Sequence, residues 1–310
     1  MLREDGIRPF AFVFPGQGSQ RQGMLDVLPE TEDLDRLLDA AEALTGLELR
    51  AIAALGTDED LADTRVAQPL LYLTDWAWAN ALIDAGLSPD AVAGHSLGEF
   101  AALAIAEVFS VEAGLELVVE RSRLMSSVAA ATPGGMVAVL GMERELVGDL
   151  IAPMSSVWLA NDNGPGQVIL SGTPKGLDKA TAELTMAGAR RVIPLKLSGP
   201  FHSPLMEPAR EAFAEILDQT EFAPSLVPVL QNTGPTPCTD PALIKSRLAL
   251  QMTAPVRWNE TMLAFRDMGV EVLVEAGPGA VLSGLARKVP GIDAASVEEA
   301  GIETIAEEVL

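Results

Sequence analysis

One serine stands in the sequence pattern of a nucleophile elbow. Ser96 is the central residue of Gly94-His95-Ser96-Leu97-Gly98, which lies between a short apolar run at 91–93 and a helical pattern at 99–106. In such a turn the glycines leave room for a sharp bend, and the serine hydroxyl is pushed out of the sheet. The N–H groups that start the next helix would face an oxyanion formed there. The pattern predicts a nucleophilic serine.

A serine nucleophile needs a base, and the chain has only two histidines, His95 and His202. Adjacent residues on a sharp turn point apart, so His95 is expected to pack beneath the elbow. By elimination the predicted base is His202, in Phe201-His202-Ser203. The two histidines and the single cysteine, Cys238, are widely scattered. They do not form a zinc site, and no metal is predicted.

Arg121 is a cation on an apolar helical stripe. In a helix that Ser110 can cap and that runs to about residue 128, Arg121 shares a face with Leu117 and Leu124. Burial of a guanidinium is costly unless it meets an anion. Two interpretations are equally open at this point. Arg121 forms a buried pair with a structural Asp or Glu, or it holds a substrate carboxylate in a bidentate fork.

A glycine-containing loop, Phe14-Pro15-Gly16-Gln17-Gly18, follows the first apolar strand pattern at 9–14. Its glycines allow close approach of the backbone to another group. It is not a dinucleotide fingerprint, because the third glycine and the ribose-binding acid are missing. The loop either supplies a second N–H to an oxyanion hole or is a plain turn.

Strand and helix patterns alternate in the first part of the chain, which is typical of a parallel sheet with helices on both faces. Later segments return to this pattern. The predicted strands are 9–14, 91–93 and 270–274, and the predicted helices are 34–44, 68–85, 99–106, 110–128, 208–217, 243–250 and 259–268.

The middle of the chain has a different pattern. A strand at 136–140, a helix at 143–151, strands at 157–160 and 167–170, a helix at 177–187 and a strand at 191–195 follow one another. This order, βαββαβ, is that of a ferredoxin-like unit. The predicted organisation is a large domain made of 1–132 and 200–310, with a small domain inserted at 133–199.

Composition and net charge limit the kinds of molecule that this protein is expected to bind. The 310 residues are 48% apolar and 21% charged, as in an ordinary globular protein. A net charge of −23 repels nucleic acid. The lone cysteine, the lack of an apolar leader and the interruption of the most apolar helical stretch by Asp75 lead us to expect a cytoplasmic protein that does not insert into membranes. The segment 131–200 is charge-neutral, with six basic and six acidic residues, and is the least repulsive to an acidic partner.

Taken together, the motifs resemble those of the malonyl-CoA:acyl carrier protein transacylase family of fatty acid and polyketide synthesis, nearly end to end. The resemblance rests on the elbow motif with Glu99, the loop 14–20, the motif 160–167, the histidine motif, the segment 251–258 and the loop 277–279. The family fold is a hydrolase-like α/β domain with a ferredoxin-like insertion, which agrees with the fold predicted above.

The resemblance also implies a role for individual residues. It makes Ser96 the acylated residue and His202 its base, in a Ser–His dyad. The remaining implied roles are oxyanion donors from the N–H groups of Gln17 and Leu97, a malonyl-carboxylate partner in Arg121, orientation of the histidine by the backbone carbonyl of Gln251, and a border of the site formed by Asn163 and Phe201.

The implied activity is transfer of a malonyl group from malonyl-CoA to the phosphopantetheine thiol of an acyl carrier protein, with no cofactor. Leu97 and Phe201 predict malonyl over methylmalonyl. A monomer is expected, and the carrier is expected to dock on the charge-neutral segment. The candidate docking residues are Lys175, Lys179, Arg190 and Arg191.

Other functions stay open. Segment 21–29 is also similar to the transacylase subunit of malonate decarboxylases, and a trans-acting polyketide acyltransferase would use the same residues. A carboxylesterase or thioesterase shares the elbow, but its histidine usually lies near the chain end, and hydrolysis gives Arg121 no role. A non-catalytic scaffold is disfavoured because every reactive position is filled.

Overall fold

The computed structural model describes residues 6–29, 31–196 and 199–309. In chain order the strands are β1 (Phe10–Phe14), β2 (Ala91–Gly94), β3 (Gly135–Leu140), β4 (Val157–Asp162), β5 (Gln167–Gly172), β6 (Arg191–Pro194), β7 (Val229–Gln231), β8 (Gly234–Cys238), β9 (Val272–Glu275) and β10 (Asp293–Ser296).

Helices cover both sheets. They are α1 (Glu32–Thr45), α2 (Leu49–Leu55), α3 (Asp58–Ala62), α4 (Thr64–Asp84), α5 (Gly98–Ile105), α6 (Val111–Ala131), α7 (Arg144–Ile151), α8 (Pro174–Met186), α9 (Glu207–Gln219), α10 (Pro241–Leu250), α11 (Trp258–Met268), α12 (Val281–Ala286), α13 (Val297–Ala300) and α14 (Ile302–Val309), with a 3₁₀ turn at Pro204–Met206.

The large sheet has the order β10-β9-β1-β2-β7-β8 and is parallel except for β8. Every residue of β1 is buried. Phe10, Phe12 and Phe14 pack into one apolar cluster, while Ala11 and Val13 pack into another. Because successive side chains of a strand point to opposite faces, helices must cover both sides. The predicted parallel α/β sheet is confirmed.

The small sheet has the order β4-β5-β3-β6 and is antiparallel throughout. Helices α7 and α8 pack on it through a core that includes Val139, Val147, Leu170 and Leu184. This strand order, with the βαββαβ chain order, confirms the ferredoxin-like unit. All four strands lie within the predicted insertion. The boundaries of that insertion stay a prediction, and residues 197 and 198 at its end lie outside the described residues.

The stretch 234–238, which contains a glycine and two prolines, is a strand that the sequence patterns did not predict. This stretch forms β8, whose one partner strand among the described residues is β7, at the edge of the large sheet. Proline lacks the N–H that an interior strand must donate, so Pro235 and Pro237 are tolerated because β8 is an edge strand.

The other elements that the sequence patterns did not predict are short. They are β7, β10, α2, α3, α12, α13 and α14, each of three to eight residues. Segments this short display a period only weakly, so sequence patterns identify some of them and miss others.

Within the described ranges, the helices fall short of the length and apolarity that a membrane crossing requires.

Candidate active site

The elbow is built by two glycines. β2 ends at Gly94, the backbone turns at Ser96 with a φ of 53°, and α5 begins at Gly98. A Cβ on Gly94 would lie 1.9 Å from the carbonyl carbon of Gly98, and a Cβ on Gly98 would lie 2.1 Å from the oxygen of Phe14. Both positions therefore accept only glycine. The positive φ of Ser96 is a strained conformation of the kind found at active sites.

His202 lies directly beside the elbow. Its Nε2 atom is 2.8 Å from Ser96 Oγ, and its Nδ1 atom is 2.9 Å from the backbone oxygen of Gln251 and 3.2 Å from that of Ala254. A carbonyl oxygen can only accept, so Nδ1 carries the ring proton and Nε2 presents its lone pair to the serine hydroxyl. His202 also has a positive φ, of 55°. The sequence-predicted serine and histidine are thus brought together in hydrogen-bond contact.

Burial keeps the imidazole of His202 neutral. The side chain is 4% exposed, and desolvation, followed by the positive charge of Arg121, lowers the pKa of His202 to about 3. At neutral pH the ring is therefore uncharged, and its Nε2 atom is able to accept a proton.

Arg121, on α6, is 1% exposed and bonds to neutral oxygens. Nη1 donates to Gln68 Oε1 at 2.7 Å, and Nη2 donates to Gln251 Oε1 at 2.9 Å and to Ser96 Oγ at 3.1 Å. No carboxylate of the described residues lies within 4.0 Å of its nitrogens. The interpretation that Arg121 forms a direct ion pair with a structural Asp or Glu is therefore wrong for the described residues.

The guanidinium keeps its charge in this setting. Desolvation lowers the pKa of Arg121 to about 10, and the nearby charge of Glu99 acts in the opposite direction. The Cζ atom lies 5.4 Å from the ring centre of Phe100, in the range of a cation–π contact. The Nε–H is buried and has no acceptor in the described structure. The site therefore holds a cation with no directly paired carboxylate beside the serine hydroxyl.

Two backbone N–H groups near Ser96 are free to donate. Those of Gln17 and Leu97 have no acceptor among the described residues, and both residues line the same cavity as Ser96. The side chain of Gln17 is fixed by a bond from Nε2 to the oxygen of Ala62 at 3.2 Å. A Cβ on Gly16 would lie 2.3 Å from the oxygen of His95, so the first loop lies directly against the elbow.

The cavity above Ser96 has a volume of about 50 Å³. All of the sequence-predicted site residues line it except Gln251 and Asn163. Gln251 bonds to Arg121 and His202, and Asn163 bonds to His95, so both contact lining residues. Its lining residues are Gln17, Gln68, His95, Ser96, Leu97, Arg121, Met125, Met136, Asn161, Phe201 and His202.

The structure places His95 in the cavity wall and not beneath the elbow. Its Nε2 atom lies 2.9 Å from Asn163 Oδ1 and 3.3 Å from Asn161 Nδ2, and its ring meets Trp258 edge-on at 5.6 Å. Asn161 belongs to β4 and Asn163 directly follows it, so the small sheet determines the position of this ring. Asn163 therefore contacts the site through His95. Burial lowers the pKa of His95.

Sequence reasoning missed Gln68 and Asn161. Gln68 is a buried polar residue within the largely buried helix α4, where it accepts from Arg121. The same signal that singled out Arg121, a polar group among apolar neighbours, could have identified it. Asn161 lies within the motif 160–167, but its contact with His95 depends on where β4 ends relative to the elbow.

A serine hydroxyl bonded to a neutral imidazole, on an elbow at the carboxyl end of a parallel strand, defines the class of enzymes that pass acyl groups through a serine ester. The acyl transferase domain family matches residues 11–301, and the chain belongs to this family.

Individual relatives cover nearly the whole chain. It is 39% identical over 284 residues to the malonyl CoA-acyl carrier protein transacylase of Bacillus subtilis, covering 90% of each chain. The crystal structure of the Synechocystis malonyl-CoA:ACP transacylase has a TM-score of 0.87 and 39% identity, covering 93% of this chain and 96% of that one. A malonyl-transacylase in complex with its type II polyketide synthase acyl carrier protein has a TM-score of 0.90 and 34% identity, covering 97% and 99%.

Proposed function

We propose that this protein transfers a malonyl group from malonyl-CoA to the phosphopantetheine thiol of an acyl carrier protein, through an ester on Ser96. The observation that carries the proposal is the double contact of Ser96 Oγ, with His202 Nε2 at 2.8 Å and with Arg121 Nη2 at 3.1 Å. A base and an unpaired cation beside one nucleophile fit an acyl group that bears a carboxylate. The names of the relatives support the same cargo and acceptor.

In the acylation half-reaction the Ser96 hydroxyl attacks the thioester carbonyl carbon, and its proton passes to His202 Nε2. The oxyanion accepts hydrogen bonds from the N–H groups of Gln17 and Leu97, each worth roughly 3 kcal/mol in comparable sites. The carbon–sulfur bond then breaks, and His202 returns the proton to the CoA thiolate. The Nδ1–H bonds to the carbonyls of Gln251 and Ala254 hold the imidazole in the required tautomer.

In the second half-reaction the carrier thiol gives its proton to His202, and its sulfur attacks the ester carbonyl carbon. The bond to Ser96 Oγ breaks, and the proton returns to that oxygen. No group beyond the two substrates enters either step, so the proposal needs no cofactor.

Arg121 selects the acyl group in this proposal. A malonyl ester on Ser96 carries its carboxylate two carbons beyond the ester carbonyl carbon, within reach of a guanidinium that contacts Ser96 Oγ. The amide oxygens of Gln68 and Gln251 hold Arg121 without neutralising it. A charge-assisted pair in this buried cavity then stabilises the malonyl ester more than an acetyl ester.

The direct test is intact-mass spectrometry after mixing the protein with malonyl-, methylmalonyl-, acetyl- and succinyl-CoA in turn. We expect a stoichiometric malonyl adduct that a phosphopantetheinylated carrier protein removes and that the Ser96→Ala variant does not form. No malonyl adduct, or one that survives in Ser96→Ala, would contradict the proposal.

A carboxylesterase is the alternative from a different class. It would turn over p-nitrophenyl esters rapidly and would not need Arg121. Slow release of p-nitrophenol together with fast malonyl transfer separates the two functions. The arginine beside the nucleophile favours the transferase.

A further inference from the structure

Asn232 lies at the point where β7, the strand beside β2, ends next to the elbow. The parallel pairing of β2 with β7 is Val92 opposite Val229 and Ala93 opposite Leu230. Asn232 directly follows β7. Beyond this point the backbone of β2 turns into the elbow, and its polar groups need partners other than a strand.

The side-chain amide of Asn232 supplies both partners. Its Oδ1 accepts from the backbone N–H of Ser96 at 2.7 Å, and its Nδ2 donates to the backbone oxygen of Gly94 at 2.6 Å. One acceptor and one donor on a flat amide are what a peptide group of an adjacent strand would offer. The carboxamide therefore continues the hydrogen-bond ladder across the turn at which Ser96 has a φ of 53°.

Asn232 is itself firmly held. It is 1% exposed, its N–H donates to Glu99 Oε2 at 2.8 Å, and its carbonyl accepts from the N–H of Arg257 at 3.1 Å. Glu99 Oε1 also accepts from Gln231 Nε2 at 3.2 Å. Glu99 lies in the first turn of α5, the helix that follows the elbow. The network therefore bonds Asn232 to residues both before and after the elbow.

We propose that Asn232 is a positioning residue that fixes the Ser96 hydroxyl against His202 and keeps the Ser96 N–H out of the oxyanion hole. The N–H of a nucleophilic serine can itself stabilise an oxyanion in other folds. Here that N–H is committed to Asn232, so the free N–H groups of Leu97 and Gln17 are left for the oxyanion. The inference rests on the proposed role of Ser96 as the nucleophile, but not on the identity of the acyl group.

Two variants separate positioning from folding. Asn232→Ala removes both hydrogen bonds to the elbow. Asn232→Asp keeps the acceptor for Ser96 N–H but loses the donor to Gly94 when it is ionised. A protonated Asp regains that donor, and a buried site beside Glu99 raises the pKa of such a carboxyl. Thr74→Val is the matched control, because it removes one buried side-chain bond, to the oxygen of Leu70, between two residues that do not line the cavity.

The readouts are the rate of Ser96 labelling by phenylmethylsulfonyl fluoride and the single-turnover rate and half-saturating concentration for malonyl-CoA, well below each variant's melting temperature. We expect Asn232→Ala to slow both reactions on the order of 10- to 100-fold, as for an angstrom-scale misplacement, at an unchanged half-saturating concentration. The rate of Asn232→Asp, relative to the unmodified protein, should rise as pH falls. Thr74→Val should react at the unmodified rate.

Equal labelling rates in folded Asn232 variants and in the unmodified protein would overturn the inference, as would a pH-independent ratio for Asn232→Asp. The proposed function fails separately, if the unmodified protein reacts with the sulfonyl fluoride but forms no malonyl adduct.

Discussion

Arg121 donates a hydrogen bond from Nη2 to Ser96 Oγ at 3.1 Å, so the cation and the nucleophile share one small cavity. The serine oxygen thus accepts from Arg121 and can donate its own proton to His202 Nε2. Gln251 links the two partners, because its side chain binds Arg121 and its backbone oxygen binds His202. Substitutions at these residues should therefore change two measurable quantities, the acyl selectivity and the rate of proton transfer. The two effects should be distinguishable from each other.

Replacement of Arg121 by alanine should reduce malonyl transfer sharply and spare or improve acetyl transfer. Loss of a buried partner to the malonyl carboxylate costs about 2–5 kcal/mol, which corresponds to roughly 30-fold or more in kcat/KM. The measurement is kcat/KM for malonyl-CoA and acetyl-CoA in the variant and in the unmodified protein. An equal loss with both substrates would show that Arg121 has a structural role only.

Gln68→Glu should weaken malonyl binding without removing Arg121. The new carboxylate would stand where Gln68 Oε1 accepts from Nη1 at 2.7 Å, and would compete with the malonyl carboxylate for the cation. We expect KM for malonyl-CoA to rise about tenfold or more, with acetyl transfer little changed. Gln68→Met is the matched control, because it adds no charge. A similar rise in KM in both variants would mean that the amide, and not the neutrality of the site, is what matters.

The pH dependence of serine reactivity should lack the usual histidine inflection. The base works as the neutral imidazole, so reactivity is lost as pH falls through the pKa of His202, which lies near 3 in place of 6.5. Labelling by phenylmethylsulfonyl fluoride, corrected for reagent decay, should therefore stay level as pH falls from about 8 to about 5. A clear inflection near 6.5 would contradict the burial argument.

The same measurement on Arg121→Ala isolates the electrostatic part of that shift. Removal of the positive charge relieves one cause of the lowered pKa of His202. The acid limb of the labelling profile should move to higher pH in Arg121→Ala. An unmoved limb would indicate that desolvation alone sets the pKa.

Asp75→Asn should stabilise the protein at neutral and alkaline pH. Asp75 is fully buried in α4, neither carboxyl oxygen has a partner in the described structure, and Oδ1 lies against Gly277. Burial, followed by repulsion from Glu275, raises the pKa of Asp75 well above 3.8. The folded state therefore keeps the proton that the unfolded state releases as pH rises above 3.8. Stability is lost with rising pH, by up to about 1.4 kcal/mol per pH unit.

Asparagine cannot ionise, so the variant should escape this loss. The difference in melting temperature between Asp75→Asn and the unmodified protein should grow between about pH 5 and about pH 8. A constant difference would show that Asp75 titrates alike in both states.

Charge reversal at the basic residues of α8 and at the start of β6 should impair docking of the carrier protein without affecting the reaction with malonyl-CoA. Lys175 and Lys179 are exposed and four residues apart on α8, so they lie on one helical face, and Arg190 and Arg191 are exposed at the start of β6. Substitution of both lysines by glutamate should raise KM for an acidic carrier protein but not for malonyl-CoA. Reversal at the two arginines tests the second pair in the same assay. An unchanged carrier KM in both cases would remove this docking site.

Much of the site could be predicted from short-range patterns in the sequence. Two glycines around Ser96 satisfy a steric requirement of the elbow, and a chain with two histidines leaves few candidates for a base. Alternating strand and helix patterns predicted the parallel sheet, because buried strands and amphipathic helices differ in period. The βαββαβ order predicted the small sheet for the same reason. These features depend on a residue and its near neighbours, so they can be read from the sequence.

Only the tertiary structure decided which distant groups meet. Arg121 was a cation with two open interpretations until Gln68, 53 positions away, and Gln251, 130 positions away, proved to be neutral partners. Asn232 contacts Ser96, which is 136 positions away in the sequence. Asn163 bonds to His95, 68 positions away, and holds its ring in the cavity wall. Such contacts are set by where strands end and helices cross, to within about an ångström. The hydrophobic period of a sequence specifies which face of an element is buried, but not which polar atom will face it there.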